Sequence, residues 1–255
     1  MTGLESYTFY DKPIPYKGLL IYPVTMERYL DFHWAVTSLL LDKNSTPDIH
    51  IISMSYLSYL YYLVSNSEGT LYLVMLKYLL LLVLHIREED EDKIKFYEDA
   101  NGKAKFSIEG KEFDNNDLME IKKIVFEQNC IEDIDESIQK EIRDAMEKAE
   151  QYRLQQNANK MGSLEDQMIC VCISSSYKLE DIYKLTIRKF NKILERVDCK
   201  LHYQIYKTAE MSGMVEFKNK DAIIHWMSDL SKKDKYQDVK VDMDDMNTKI
   251  NEINR

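Results

Sequence analysis

Residues 71–86, LYLVMLKYLLLLVLHI, set the first limit on what this chain can become. They are apolar on nearly every turn. One charge, Lys77, sits in the middle, and the acidic run Arg87-Glu88-Glu89-Asp90-Glu91-Asp92 follows at once. A membrane-spanning helix needs about 18 or more apolar residues with few charges, and basic residues on its cytoplasmic flank. This run is too short, carries a lysine and is followed by carboxylates. It reads instead as the central helix of a bundle. A helix that is apolar all round needs cover on every side, more than two partner helices supply. Self-association or a client protein would have to cover the remaining face.

The rest of the sequence suits such a bundle. The last proline is Pro47, and glycine occurs only 7 times in 255 residues, as expected of a mostly helical protein. With 45% apolar and 31% charged residues, the chain can bury a core and is not disordered overall. Its net charge of −10 opposes sequence-independent binding to nucleic acid, which relies on basic groups displacing counterions. Cys130, Cys170, Cys172 and Cys199 are too sparse and unpatterned for a disulfide scaffold. The opening MTGLESYTFYDKP has neither the basic nor the apolar region of a signal peptide. The expected setting is a reducing cytoplasm, with no membrane and no nucleic acid as partner.

Pro13, Pro15 and Pro23 limit the first segment to short extended pieces around Lys17-Gly18. Thr25 is placed to cap a helix carrying Met26, Tyr29, Leu30, Trp34, Val36 and Leu40. A second helix is expected within 47–64 and a third within 70–86. Asn101-Gly102 between alternating runs predicts a tight hairpin, and Lys111-Glu-Phe a third short strand. Asn115 or Asn116 is expected to cap the next helix. Asp135 is expected to start a charged connecting helix reaching about Lys160. Ser163-Leu-Glu-Asp166 is a capping-box pattern with Asp in place of Glu. A short helix holding Met168, Ile169, Val171 and Ile173, broken at Ser174–Ser176, and another at 179–184 follow. A long helix face is then marked by Phe190, Leu194, Val197, Leu201, Ile205 and Thr208, with Gly213 as its stop and a last helix over 221–230.

The expected fold class is mainly α (α+β). A helical N-terminal module (1–88) with a short extended start is followed by a β-hairpin plus helix (89–134) and a charged connecting helix (135–162). A helical C-terminal module (163–232) and a polar tail (233–255) complete it.

Chemistry is harder to find. Cys170-x-Cys172 and Cys199-x-x-His202 could be drawn as a metal site, but an i,i+2 pair diverges on a helix, and ordinary cysteines are the plainer reading. No third group orients Cys199 and His202 as a nucleophile pair. There is no glycine-rich phosphate loop, so neither an enzyme nor a cofactor is expected. Arg188, Lys189 and Lys192 follow the short helix at 179–184 as a helix-turn-helix reader would want, although Glu195 and Asp198 weigh against it.

One stretch is more specific than its composition. Residues 160–218, KMGSLEDQMICVCISSSYKLEDIYKLTIRKFNKILERVDCKLHYQIYKTAEMSGMVEFK, together with His225-Trp-Met-Ser-Asp-Leu, resemble tail-morphogenesis proteins of phages and prophages of Gram-positive bacteria. The segments YKGLLIYPVTMERYLDF and LLLDKN, and Glu127-Gln-Asn129 after the hairpin, match the same group. The resemblance implies a tail assembly chaperone: acidic, helical, without catalytic residues, binding the tape-measure protein in the host cytoplasm. It leaves open a structural virion component, such as a baseplate or tail-adaptor subunit. For partner contact the candidates are Phe190, Leu194, Tyr203, Tyr206, Met211 and Met214, with Trp226 nearby. Each of them could equally be a core residue.

Overall fold

Prolines and a left-handed turn shape the start of the chain. A computed structural model describes residues 3–43, 48–65, 70–100, 102–134, 162–213 and 223–229, with scattered positions between 142 and 152. Helix α1 (Gly3–Phe9) leads into strands β1 (Ile14–Tyr16) and β2 (Leu19–Ile21), which pair antiparallel with Ile14 opposite Ile21. Lys17 (φ 44°) and Gly18 (φ 80°) make the two-residue turn, the left-handed pair that matches strand twist. The next residues pair with a distant part of the chain. Thr25 and Thr186 form an antiparallel bridge, with Met26 N–H donating to the Leu185 carbonyl (2.8 Å) and Ile187 N–H to the Val24 carbonyl (2.9 Å). Thr25 is thus extended and makes no side-chain cap, contrary to the sequence expectation.

Two expected helices are broken into pieces. The first comprises a 3-10 turn (Met26–Arg28), helix α2 (Tyr29–Val36) and a second 3-10 turn (Thr37–Leu39). The second divides into α3 (Ile49–Ser53) and α4 (Tyr56–Ser65), because Met54 is extended and Ser55 Oγ accepts from Ser58 N–H as a new start. Asp48 caps α3 by accepting from His50 N–H at 2.8 Å. Helix α5 (Thr70–Leu84) follows and ends at His85 (φ 54°), where Ile86 N–H returns to the Leu81 carbonyl. The acidic residues after it form a 3-10 segment, Glu88–Lys93.

Strands β3 (Ile94–Glu98), β4 (Ala104–Ile108) and β5 (Lys111–Phe113) make an antiparallel sheet in chain order. The expected tight turn at Asn101-Gly102 is wider than predicted. Pairing stops at Glu98–Ala104, and Asp99 organises the connection by accepting from Gly102 N–H and, through its side chain, from Lys103 N–H. The two-residue left-handed turn falls instead at Glu109 (φ 50°) and Gly110 (φ 81°).

Helix α6 (Asn115–Asn129) is capped by Asp114, which exchanges side-chain and backbone hydrogen bonds with Asp117. Asn115, one of the expected caps, is otherwise engaged: its Oδ1 accepts from Leu57 N–H at 3.0 Å. The charged helix expected from Asp135 lies mostly outside the described residues; the positions described between 142 and 152 are helical. Helix α7 (Leu164–Ser174) starts at the predicted box, with Ser163 Oγ accepting from Asp166 N–H and Asp166 from Ser163 N–H. Helices α8 (Leu179–Lys184) and α9 (Ile187–Met211) follow. The helix expected over 221–230 is absent from the described residues 223–229. These form a turn closed by Ser228 N–H on the His225 carbonyl (2.8 Å). The polar tail expected after residue 232 is outside the described residues.

The protein is mainly α with two small antiparallel sheets. It divides into two units, 1–195 and 196–255, with the division inside α9. In the first, α5 packs on α2, α4, β2 and β3. It buries Met75, Leu76, Leu79, Leu80, Leu81 and Val83, while Leu71 (54% exposed) and Val74 (51%) remain open. No helix among the described residues is long and apolar enough to cross a membrane. Helix α6 holds the N-terminal segment at both of its ends. Asp117, almost fully buried, accepts from Tyr16 Oη (2.6 Å) and pairs with Lys17 Nζ. At the other end, Gln128 donates to the Ile21 carbonyl (3.1 Å) and Asn129 Oδ1 accepts from Val24 N–H (3.0 Å). Burial works against the Asp117 carboxylate, but Lys17, Tyr16 and a backbone N–H outweigh it and hold its pKa below the usual value.

Candidate partner-binding surface

The long helix α9 has two different halves. Its first turns belong to the first unit. There Ile187 and Phe190 are each 1% exposed and sit in the hydrophobic core, while Leu194 is half-buried against it. Phe190, a candidate contact residue, therefore has no surface left to offer a partner. The cations at this end are engaged as well. Arg188 donates to the Thr8 carbonyl at 2.8 Å, and Lys189 pairs with Asp11 at 2.7 Å.

The second unit is built around the remainder of α9. Its residues advance by about 100° each, so Arg196, Lys200 and Tyr203 share one face. That face holds the 223–229 turn. Arg196 Nη1 donates to the carbonyls of Trp226 (2.8 Å) and Ser228 (2.7 Å), Lys200 lies 6.0 Å from the Trp226 ring, and Tyr203 meets His225 edge-on at 4.9 Å. A guanidinium shared by two carbonyls is a stiff fastening, because its planar fork fixes both directions.

A separate face, roughly 130° round the helix by the same count, carries Val197, Leu201, Ile205 and Thr208, spaced to form one row. Here burial fails: Leu201 is 48% exposed and Ile205 62%. Of the residues nominated from sequence, Tyr203 and Trp226 come together through the turn. Tyr206 (39% exposed) lies toward His202, Met211 (86%) projects near the helix end, and Met214 is outside the described residues. Leu201 and Ile205 are not among the contacts nominated from sequence, although the i,i+4 spacing that marks the helix face contains them.

The cysteine–histidine set forms no metal centre among the described residues, where no group of three or more His, Cys, Asp or Glu side chains is placed to hold an ion. His202 Nδ1 lies 3.3 Å from Asp198 on its own helix.

Residues 155–231 match the family model of the YomV second domain, a stretch that takes in α7, α8, α9 and the 223–229 turn. That match suggests a phage- or prophage-type protein. No curated protein and no solved structure matches the chain.

Proposed function

We propose that this chain is a non-enzymatic phage assembly factor, a tail assembly chaperone that covers an apolar helix of a tail protein in the host cytoplasm. The tape-measure protein is the client proposed. The observation that carries the reading is the open row Leu201–Ile205 on α9, left bare while another face of the helix holds a turn that Arg196 fastens in place. An amphipathic helix with a bare apolar face docks another helix by side chains at i, i+3, i+4 and i+7. Exposed neighbours such as Met211 and Tyr206 extend the surface with adaptable and amphipathic side chains. A chain of net charge −10 keeps such a complex in solution. The similarity of residues 155–231 to a phage-type domain supports the same reading.

A helix-turn-helix reader finds less support. Arg188 and Lys189, two of the three cations it would place on DNA, bind Thr8 and Asp11 of this chain instead.

Co-purification of the tape-measure protein from co-expressing cells tests the proposal. The Leu201→Glu/Ile205→Glu variant should lose the client by tenfold or more while keeping its circular dichroism. Unchanged capture would sink the proposal, and so would stoichiometric presence in purified particles, which marks a structural virion component.

A further inference from the structure

The open stripe of α5 does not end at Val74. Leu71, Val74 and Tyr78 follow one another at i, i+3 and i+7 on the same face, and one turn further the stripe runs into a cleft of about 560 Å³ walled by Leu81, Leu82 and His85. The whole track covers about 14 residues, roughly 21 Å, or four helical turns. Helix α2 supplies its side wall. Trp34 (42% exposed) meets Tyr78 edge-on at 5.8 Å, and Leu30 (73% exposed) stands one turn before Trp34. All of these residues belong to the first unit, whereas Leu201 and Ile205 belong to the second.

The charge beside the track has one sign in excess. Arg28 Nη2 donates to Tyr78 Oη (2.8 Å) and is answered by Asp31 and Glu88; Lys77 is answered by Glu91 at 3.0 Å. Glu88 and Glu89 line the cleft together with Arg28 and Arg87; Arg87 is answered by Asp90 at 3.5 Å, and the segment Glu88–Lys93 holds five carboxylates in sequence against one lysine, so carboxylates outnumber cations beside the track. An apolar track with an acidic end selects a partner that is apolar along one side and cationic at its flank.

We infer that this track is a second docking site, and that its occupant is a basic amphipathic helix from another protein, lying along Leu71–Tyr78 with its cations over Glu88 and Glu89. The inference does not depend on the α9 row. It explains why an otherwise buried helix leaves Leu71 and Val74 uncovered and why an acidic 3-10 segment follows it directly.

The test uses the full chain carrying Trp226→Phe, so that Trp34 is the sole tryptophan. The probe is a tryptophan-free 18-residue helix of leucine and lysine with leucines at i, i+3, i+4 and i+7; the control has glutamate for lysine. Trp34 emission should change saturably with the lysine peptide and at least tenfold more weakly with the control. Glu88→Lys/Glu89→Lys should weaken lysine-peptide binding at least tenfold. Val74→Asp should do the same although it adds a negative charge, which separates docking from simple attraction to an acidic protein. Leu71→Gln, at an open position, repeats that arm if Val74→Asp disturbs the far-ultraviolet spectrum. Equal binding of the two peptides, no binding of either, indifference to Val74→Asp and Leu71→Gln, or dimerisation of the chain through this stripe in sedimentation would each overturn the inference.

Discussion

Helix α5 and the second half of α9 reverse the usual relation between apolar pattern and burial. By sequence α5 is apolar all round and α9 is cleanly amphipathic. In the structure α5 is mostly enclosed, with Leu76 and Val83 fully buried, whereas Leu201 and Ile205 on the tidy apolar face of α9 are about half exposed or more. A periodic apolar row thus says which way a helix will face something. It does not say whether that something lies in the same chain. Burying an aliphatic side chain is worth about 1.5–3 kcal/mol, so a row left open marks a free energy still to be gained by association.

Mutations can break this contrast, and the largest effect belongs to α5. Leu76→Ala should cost about 3 kcal/mol in urea unfolding, because it opens a cavity in the centre of the first unit. Asp117→Ala should cost about 2 kcal/mol by leaving the half-buried Tyr16 hydroxyl and a helix-start N–H without their acceptor, with little added by the exposed Lys17. The pH dependence follows from the lowered pKa of Asp117. Its contribution is present above the unfolded carboxylate value of about 3.9 and is lost as pH falls through the lower folded value. Asp117→Asn should therefore flatten the acid limb of the stability profile below about pH 4.

In the second unit the effects shrink. Arg196→Ala should cost at most about 1 kcal/mol globally, yet release the turn. In a Trp34→Phe background, Trp226 emission should shift to the red. Ile205→Ala should change stability by no more than about 0.5 kcal/mol. A cost near that of Leu76→Ala would mean that the row is covered in solution, and the contrast with α5 would disappear.

What could be read in advance was what neighbouring residues decide among themselves. The Ser163–Asp166 box, the turn around Lys17-Gly18 and the stop near Gly213 are short-range, and their residues carry the signal. What escaped reading depends on distant partners. Thr25 looks like a cap until Thr186 arrives beside it, and Asn115 looks like one until Leu57 takes its oxygen. Glu109-Gly110 outdid Asn101-Gly102 as the tight turn because the register of β4 on β5 fixes where two residues must suffice. The candidate surface was legible in kind and only partly in detail. The spacing marks the helix, but Phe190 is a core residue, and the exposed pair Leu201 and Ile205 has the same apolar spacing as its buried neighbours, so sequence does not set it apart.

The bridge between Thr25 and Thr186 also sets a schedule. The two residues leave the ribosome some 160 positions apart, which at about 5–20 residues per second means roughly 8–30 s of synthesis. Throughout that interval Val24 and Met26 present bare edge groups, and α5 emerges well before Ile187 and Phe190 can complete the core beside it. A chain interrupted anywhere before residue 185 retains a strand-pairing edge and an uncovered apolar interior, so premature termination yields a sticky fragment rather than a smaller working protein.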